Sequence, residues 1–161
     1  MSKRLPPHLP DRLWEMLNGE HLEDHLSKVL LLITLDERGW PYTAMLSFLE
    51  VVAPDRANIR IGPWNNSTTT ANLRRNGKFA LLFIDEGLAY YIQATAQELS
   101  AQVEGFEGIA KINARIESIL EDKALDYEGS ARVTTGVRFE NPAMDAAYIN
   151  RGRRLLEELR R

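Results

Sequence analysis

Apolar positions follow two different rhythms along this chain, and the change of rhythm marks out its elements. Residues 11–18 read as a short helix: Asp11 is an N-cap type after Pro10, Leu13, Trp14 and Leu17 share one side, and Gly19 stops it. A weaker helical piece follows at 20–26. From Val29 the texture becomes β: the run 29–35, the turn Asp36-Glu37-Arg38-Gly39, and a long strand over 41–52. Alternation puts Tyr42, Ala44, Leu46 and Phe48 on one face of that strand and Thr43, Met45, Ser47 and Leu49 on the other. A turn at 54–58 and a short strand at 59–62 come next. A loop at 63–66 leads to a helix over 67–76, closed by Gly77. Strands at 79–84 and 88–96 are joined by Asp85-Glu86-Gly87. Then Ile109, Ile112, Ile116 and Ile119 fall at helical spacing, which predicts an inserted helix over about 103–121. A last strand is expected over 132–139, with Gly136 as a bulge. A final helix is expected from the Asn141-Pro142 pair, carrying Met144, Tyr148, Leu155, Leu156 and Leu159.

Six short strands joined by turns, flanked by helices, predict a mainly β antiparallel barrel or sandwich rather than repeated βαβ units. The 161 residues fit one domain, 1–161: an N-terminal helical segment (1–28), a barrel (29–139) and a C-terminal helix (141–161). Composition narrows the chemistry. Twenty Lys and Arg against 23 Asp and Glu leave a formal charge of −3, which argues against nucleic-acid binding by bulk electrostatics. No cysteine is present, so disulfides, thiolate nucleophiles and cysteine-ligated metals are excluded. The longest apolar run, 29–35, falls far short of a membrane span, and Pro6, Pro7 and Pro10 follow Lys3 and Arg4 where a leader would be apolar. The expectation is a cytoplasmic protein with no membrane partner.

One constellation stands out. Ser67, Thr68, Thr69 and Thr70 gather hydroxyls where a helix begins and where backbone N–H groups lack partners, an arrangement suited to a phosphate. The plainer alternative is a capping hydroxyl with the rest facing water. His21 and His25 are four apart and could share a metal, but solvated histidines are the simpler expectation. Glu104, Glu107, Glu117, Glu121 and Asp122 read as a solvated acidic side of the inserted helix. The arginines of the last helix read as partners of its dipole.

The segments "ITLDERGWPYTAML" and "IRIGPWNNSTTTANLRRNGKFALLFI" carry a further signal. Asp36, Gly39, Pro41, Ser67, Asn72, Leu73, Asn76 and Lys78, in this order, together with "YYIQATAQELS", resemble the FMN-binding split barrel of the pyridoxamine 5′-phosphate oxidase superfamily. The resemblance implies a six-stranded antiparallel Greek-key split barrel, a homodimer, FMN at the subunit interface and oxidoreductase activity on a small-molecule substrate. It assigns the flavin's neighbours to Met45, Leu46 and Ser47, to Pro63 and Trp64, and to Ser67, Thr68, Thr69, Thr70 and Asn72. Departures are equally visible. The oxidase's flavin-strand arginine and lysine fall on Ala44 and Leu49, and its basic phosphate-loop pair falls on Thr68 and Thr69. One of its glutamines falls on Ala89, and its C-terminal Arg-x-His motif has no counterpart, the histidines here being His8, His21 and His25. These differences speak against pyridoxamine phosphate oxidation itself. They leave a non-flavin module binding haem or a deazaflavin, or a cofactor-free dimer, as alternatives.

Overall fold

The computed structural model describes residues 2–123 and 133–161. Eight strands form one curved antiparallel sheet: β1 (Ser2–Leu5), β2 (Val29–Leu35), β3 (Pro41–Ser47), β4 (Val51–Val52), β5 (Asn58–Ile61), β6 (Lys78–Asp85), β7 (Leu88–Ser100) and β8 (Lys111–Lys123). Their order is β3-β2-β6-β7-β8-β5-β4, with β1 beside β5 on the far edge of β8. The crossovers from β2 to β6 and from β5 to β8 curl the sheet into a split barrel. Helices α1 (Asp11–Leu17), α2 (Thr68–Asn76) and α3 (Ala146–Arg160) flank it, and a 3-10 turn spans Leu22–His25. One buried cluster runs from Leu9 and Leu13 through Leu32, Ile59, Leu81 and Ile92 to Leu155 and Leu159, so helices and sheet share a core. Among the described residues no helix is long and apolar enough to cross a membrane.

The elements around the turn at Asp36 and around α2 match the sequence expectation closely. Asp36 accepts hydrogen bonds from the Arg38 and Trp40 N–H groups, which closes the β2–β3 turn. Gly77 ends α2 with φ of 70°, a left-handed cap that suits glycine.

Several expectations need correction, beginning with the six strands, which are eight among the described residues. The inserted helix over 103–121 does not exist: turns occupy 101–108 and β8 follows. A bulge explains the misleading period. Gln93 pairs with Ser118 and Ala94 with Ile116, so Glu117 is skipped and the inward parity shifts by one. Ile116 and Ile119, three apart, therefore both face the core from an extended strand. Glu117, Glu121 and Asp122 accordingly belong to a strand, not to an acidic helix face.

The strand expected over 41–52 is two strands, because Glu50 N–H bonds back to the Ser47 carbonyl and turns the chain. Residues 2–5 of the helical segment are strand β1, held mainly by backbone pairing with Ile119–Asp122 and so lacking a hydrophobic signature. The last strand is absent over 133–139, Arg132 lying outside the described residues. That stretch touches β2 through an isolated Lys28–Arg138 bridge. Gly136 is no bulge: it passes so near β6 that a Cβ there would come within 1.9 Å of the Ile84 carbonyl oxygen. Finally, Asp145 rather than Asn141 caps α3, accepting from Tyr148 N–H at 2.8 Å, while Asn141 is spent on a turn with Ala143 N–H.

Candidate functional site

Two neighbouring places collect the residues that the sequence singles out. The first is the start of α2. Ser67 caps it, its Oγ accepting from Thr70 N–H at 3.1 Å, and Ser67 carbonyl accepts from Ala71 N–H. Thr70 is buried and donates its hydroxyl to the Trp64 carbonyl at 2.7 Å. Asn72 is also buried. Its amide donates to Thr34 Oγ1 at 3.0 Å and its carbonyl oxygen accepts from Arg75 at 2.7 Å, which pins α2 to β2. Ser67, Thr70 and Asn72 are thus occupied by the fold. The Thr68 and Thr69 side chains make no hydrogen bond, and Thr68 is exposed while Thr69 is buried. Their two N–H groups are the ones that helix geometry leaves over.

Neither arginine of α2 turns to that point as a free cation. Arg74 is paired with Glu98 and also bonded to Asn65, and the contact holds the Glu98 carboxyl below its usual pKa. Arg75 donates to the Leu35 carbonyl and to Asn72. Both are held in place by these contacts.

The second place is a groove beneath α3. It comprises two adjoining cavities of about 290 and 130 Å³ that share Ser47, Leu49, Glu50 and Tyr148. Met45, Leu46 and Ser47 line the larger and Trp64 the smaller. Met45 and Trp64 are 68% and 61% exposed, unusual for such side chains unless something covers them. Glu50 holds the β3–β4 turn, its Oε2 accepting from the N–H and hydroxyl of Ser47, both at 2.8 Å. Trp64 links the two places: its carbonyl receives the Ser67 N–H and Thr70 hydroxyl bonds, while its indole rims the groove. Pro63 is buried, with its carbonyl bonded to Ala110 N–H, so it shapes the approach rather than lining the groove.

Sequence reasoning missed Glu50, Tyr148 and Arg151 in this groove. Nothing in the local pattern of α3 indicates that it folds back over the β3–β4 turn. The one available signal is Gly152, where a Cβ would meet Leu49 Cδ2 at 2.5 Å.

Two other cavities lie elsewhere. One of about 680 Å³ lies among Ile33, Ala80, Gln93, Thr95 and Glu117, and none of the expected site residues lines it. The other, about 270 Å³, is polar and contains Arg12, His21, His25, Lys28 and Asp85. His25 is not solvated as expected: it is 8% exposed and stacks on Phe48 with centroids 5.1 Å apart. Burial, then Lys28, lowers its pKa. No group of three or more potential ligands able to hold a metal occurs among the described residues.

The family model for pyridoxamine 5′-phosphate oxidase matches residues 20–141, a span containing β2 to β8, the α2 start and most of the groove. The chain belongs to the pyridoxamine 5′-phosphate oxidase family. A relative across nearly the whole family chain is the uncharacterized protein YclD of Bacillus subtilis (strain 168), 34% identical over 153 residues, 95% of this chain and 96% of that protein. A solved structure from Lactobacillus delbrueckii, itself assigned only provisionally as a pyridoxamine 5′-phosphate oxidase, superposes with a TM-score of 0.57 at 18% identity, covering 73% of this chain and 98% of that one. HutZ, the haem storage protein of Vibrio cholerae, superposes with a TM-score of 0.53 at 14% identity, covering 76% and 99%. At such identities the structures share the family fold with this chain and nothing more.

Proposed function

We propose that this chain is an FMN-binding flavoprotein of the split-barrel type that works as a homodimer on a small-molecule substrate. The observation that carries the reading is the double engagement of Trp64, whose carbonyl sits in the α2 cap and whose indole rims the apolar groove. A flavin needs those two environments at adjoining points: N–H donors for its phosphate and an apolar, partly aromatic face for its ring.

The residues present fit such a group. The Thr68 and Thr69 N–H groups and the free Thr68 hydroxyl would receive the phosphate, favoured by the positive end of α2. Met45, Leu46, Ser47 and Trp64 would flank the ring and keep water from one of its faces. Bound flavin would supply the redox chemistry, so the chain needs to bind, orient and exclude water rather than provide an acid–base pair. The missing cations at Ala44, Leu49, Thr68 and Thr69 lower the expected affinity, because charge-assisted bonds to phosphate are about twice as strong as neutral ones.

The dimer is supported by β3, which ends the sheet on one side and carries Tyr42 and Met45 exposed along it, with Trp40 exposed just before it. An apolar, unpaired edge of this kind invites a second copy. Cytoplasmic residence remains part of the same proposal.

Likeness to HutZ raises a haem reading, which the residues do not favour. His21 and His25 line the polar cavity near α1, and no histidine lines the groove, so the usual axial ligand is missing there. Titration of the purified protein with FMN and with haemin, followed by absorption and flavin fluorescence, tests the proposal. Saturable quenching of FMN fluorescence with one flavin per chain is expected. No FMN binding, or a Soret shift with haemin that competes with FMN, overturns it.

A further inference from the structure

The groove beneath α3 extends beyond the residues assigned to the flavin, and that extension has its own chemistry. Glu50 and Arg151 both line the 130 Å³ cavity, yet they form no ion pair with one another. Glu50 has spent Oε2 on Ser47, and its Oε1 makes no hydrogen bond. Arg151 lies over the Phe106 ring, 5.2 Å from its centroid, and its guanidinium has no hydrogen-bond or ion-pair partner among the described residues. Of the neighbouring cations, Arg153 pairs with Glu23, Arg160 bonds to the Asn18 carbonyl and Arg161, just past α3, pairs with Glu158, while Arg154 lacks a partner among the described residues but lines neither cavity. The aromatic contact fixes the Arg151 fork while leaving its donors free. Tyr148 lines both cavities, and its hydroxyl makes no hydrogen bond to the described residues. The adjoining 290 Å³ cavity is apolar, with Leu46, Leu49 and Met144 in its wall.

Opposite charges that face one small cavity without meeting leave room for a group that bridges them. A simple anion would suit Arg151 but be repelled by Glu50, and a simple amine the reverse. We infer that the α3 groove recognises a small α-amino acid with an apolar side chain. Its carboxylate is held by Arg151, its ammonium by Oε1 of Glu50, and its side chain lies against Leu49 and Met144, the part of the larger cavity not assigned to the flavin ring. This deepens the proposed function by naming the substrate class. It rests on the groove being a ligand site and not on which cofactor lies beside it.

Calorimetric titration of the flavin-free protein with L-phenylalanine, 3-phenylpropionate and 2-phenylethylamine tests it. L-Phenylalanine should bind tightest, since each of the others lacks one of the two charged groups. Arg151→Gln should weaken L-phenylalanine and 3-phenylpropionate by about ten- to a hundredfold and leave 2-phenylethylamine unchanged. Glu50→Gln keeps an acceptor for Ser47 and should do the reverse, weakening the two amines and sparing 3-phenylpropionate. Arg151 is exposed, so its variant should melt like the parent; if Glu50→Gln unfolds, the Arg151 variant alone decides. No saturable heat with L-phenylalanine, or equal binding by parent and Arg151→Gln, overturns the inference. FMN titration of the same preparations separates the two readings. Flavin binding without amino-acid binding removes the amino acid alone, and amino-acid binding without flavin removes the flavin alone.

Discussion

The start of α2 and the groove beneath α3 are neighbours, but they hold their polar groups in opposite ways. At α2 the hydroxyl-rich run looks chemically generous, yet Ser67, Thr70 and Asn72 are consumed in capping the helix and fastening it to β2. At α3 the sequence looks ordinary, yet Arg151, Tyr148 and one oxygen of Glu50 face a cavity with nothing attached. A buried hydrogen bond is costly to leave unmade, so a side chain already serving the fold is a poor donor to a ligand. What separates a site from scaffolding here is which donors and acceptors are left over.

That contrast can be broken by substitution. Leu159 is fully buried and its Cδ1 would lie 3.2 Å from a Cβ on Gly62, so it seats α3. Leu159→Ala should cost about 2–5 kcal/mol in denaturant unfolding and weaken ligands of the groove before those of α2. Asn72→Ala removes a buried bridge and should cost about 1–3 kcal/mol, because Thr34 and Arg75 lose a partner. Ser67→Ala should cost about 1 kcal/mol through the lost cap. Thr68→Val sharpens the comparison. It should leave the melting temperature within error yet weaken FMN by about three- to tenfold, the worth of one neutral hydrogen bond. Equal stability losses at positions 67 and 68 would erase the distinction.

The smallest expected effect is a pH dependence at His25, which stacks on Phe48 under the turn that carries Glu50. Burial, then Lys28, holds its folded pKa below 6.5, so the unfolded chain takes up a proton that the folded protein resists. Its contribution is fully present above pH 6.5 and is lost as pH falls from there toward the folded value. Thermal melts between pH 7.5 and about 5 should show this decline, and His25→Phe should flatten it.

Much of the fold, and the local geometry at the α2 end of the candidate site, were legible in the sequence. The β2–β3 turn and α2 have strong local punctuation in Asp36, Gly39, Ser67 and Gly77, and local punctuation is what a sequence displays. Residues 103–121 misled because the bulge at Glu117 moved Ile119 to a spacing that helices also use. Strand β1 was silent because backbone pairing needs no particular side chain. The α3 end of the groove was hidden for a third reason: Glu50 and Arg151 reach the same cavity only through tertiary folding.

That last point bears on how the protein comes to be folded. Arg153 and Arg160 fasten α3 to Glu23 and Asn18, in the segment that precedes β2. The groove takes its walls from residues as distant in sequence as Val29 and Leu155, and it cannot form on a nascent chain before the final helix has cleared the ribosome. Contacts of such separation are the slowest to be made and add nothing until they are made. A molecule that occupies the groove would consequently bind the finished fold alone, acting as a clasp between α3 and the β3–β4 turn.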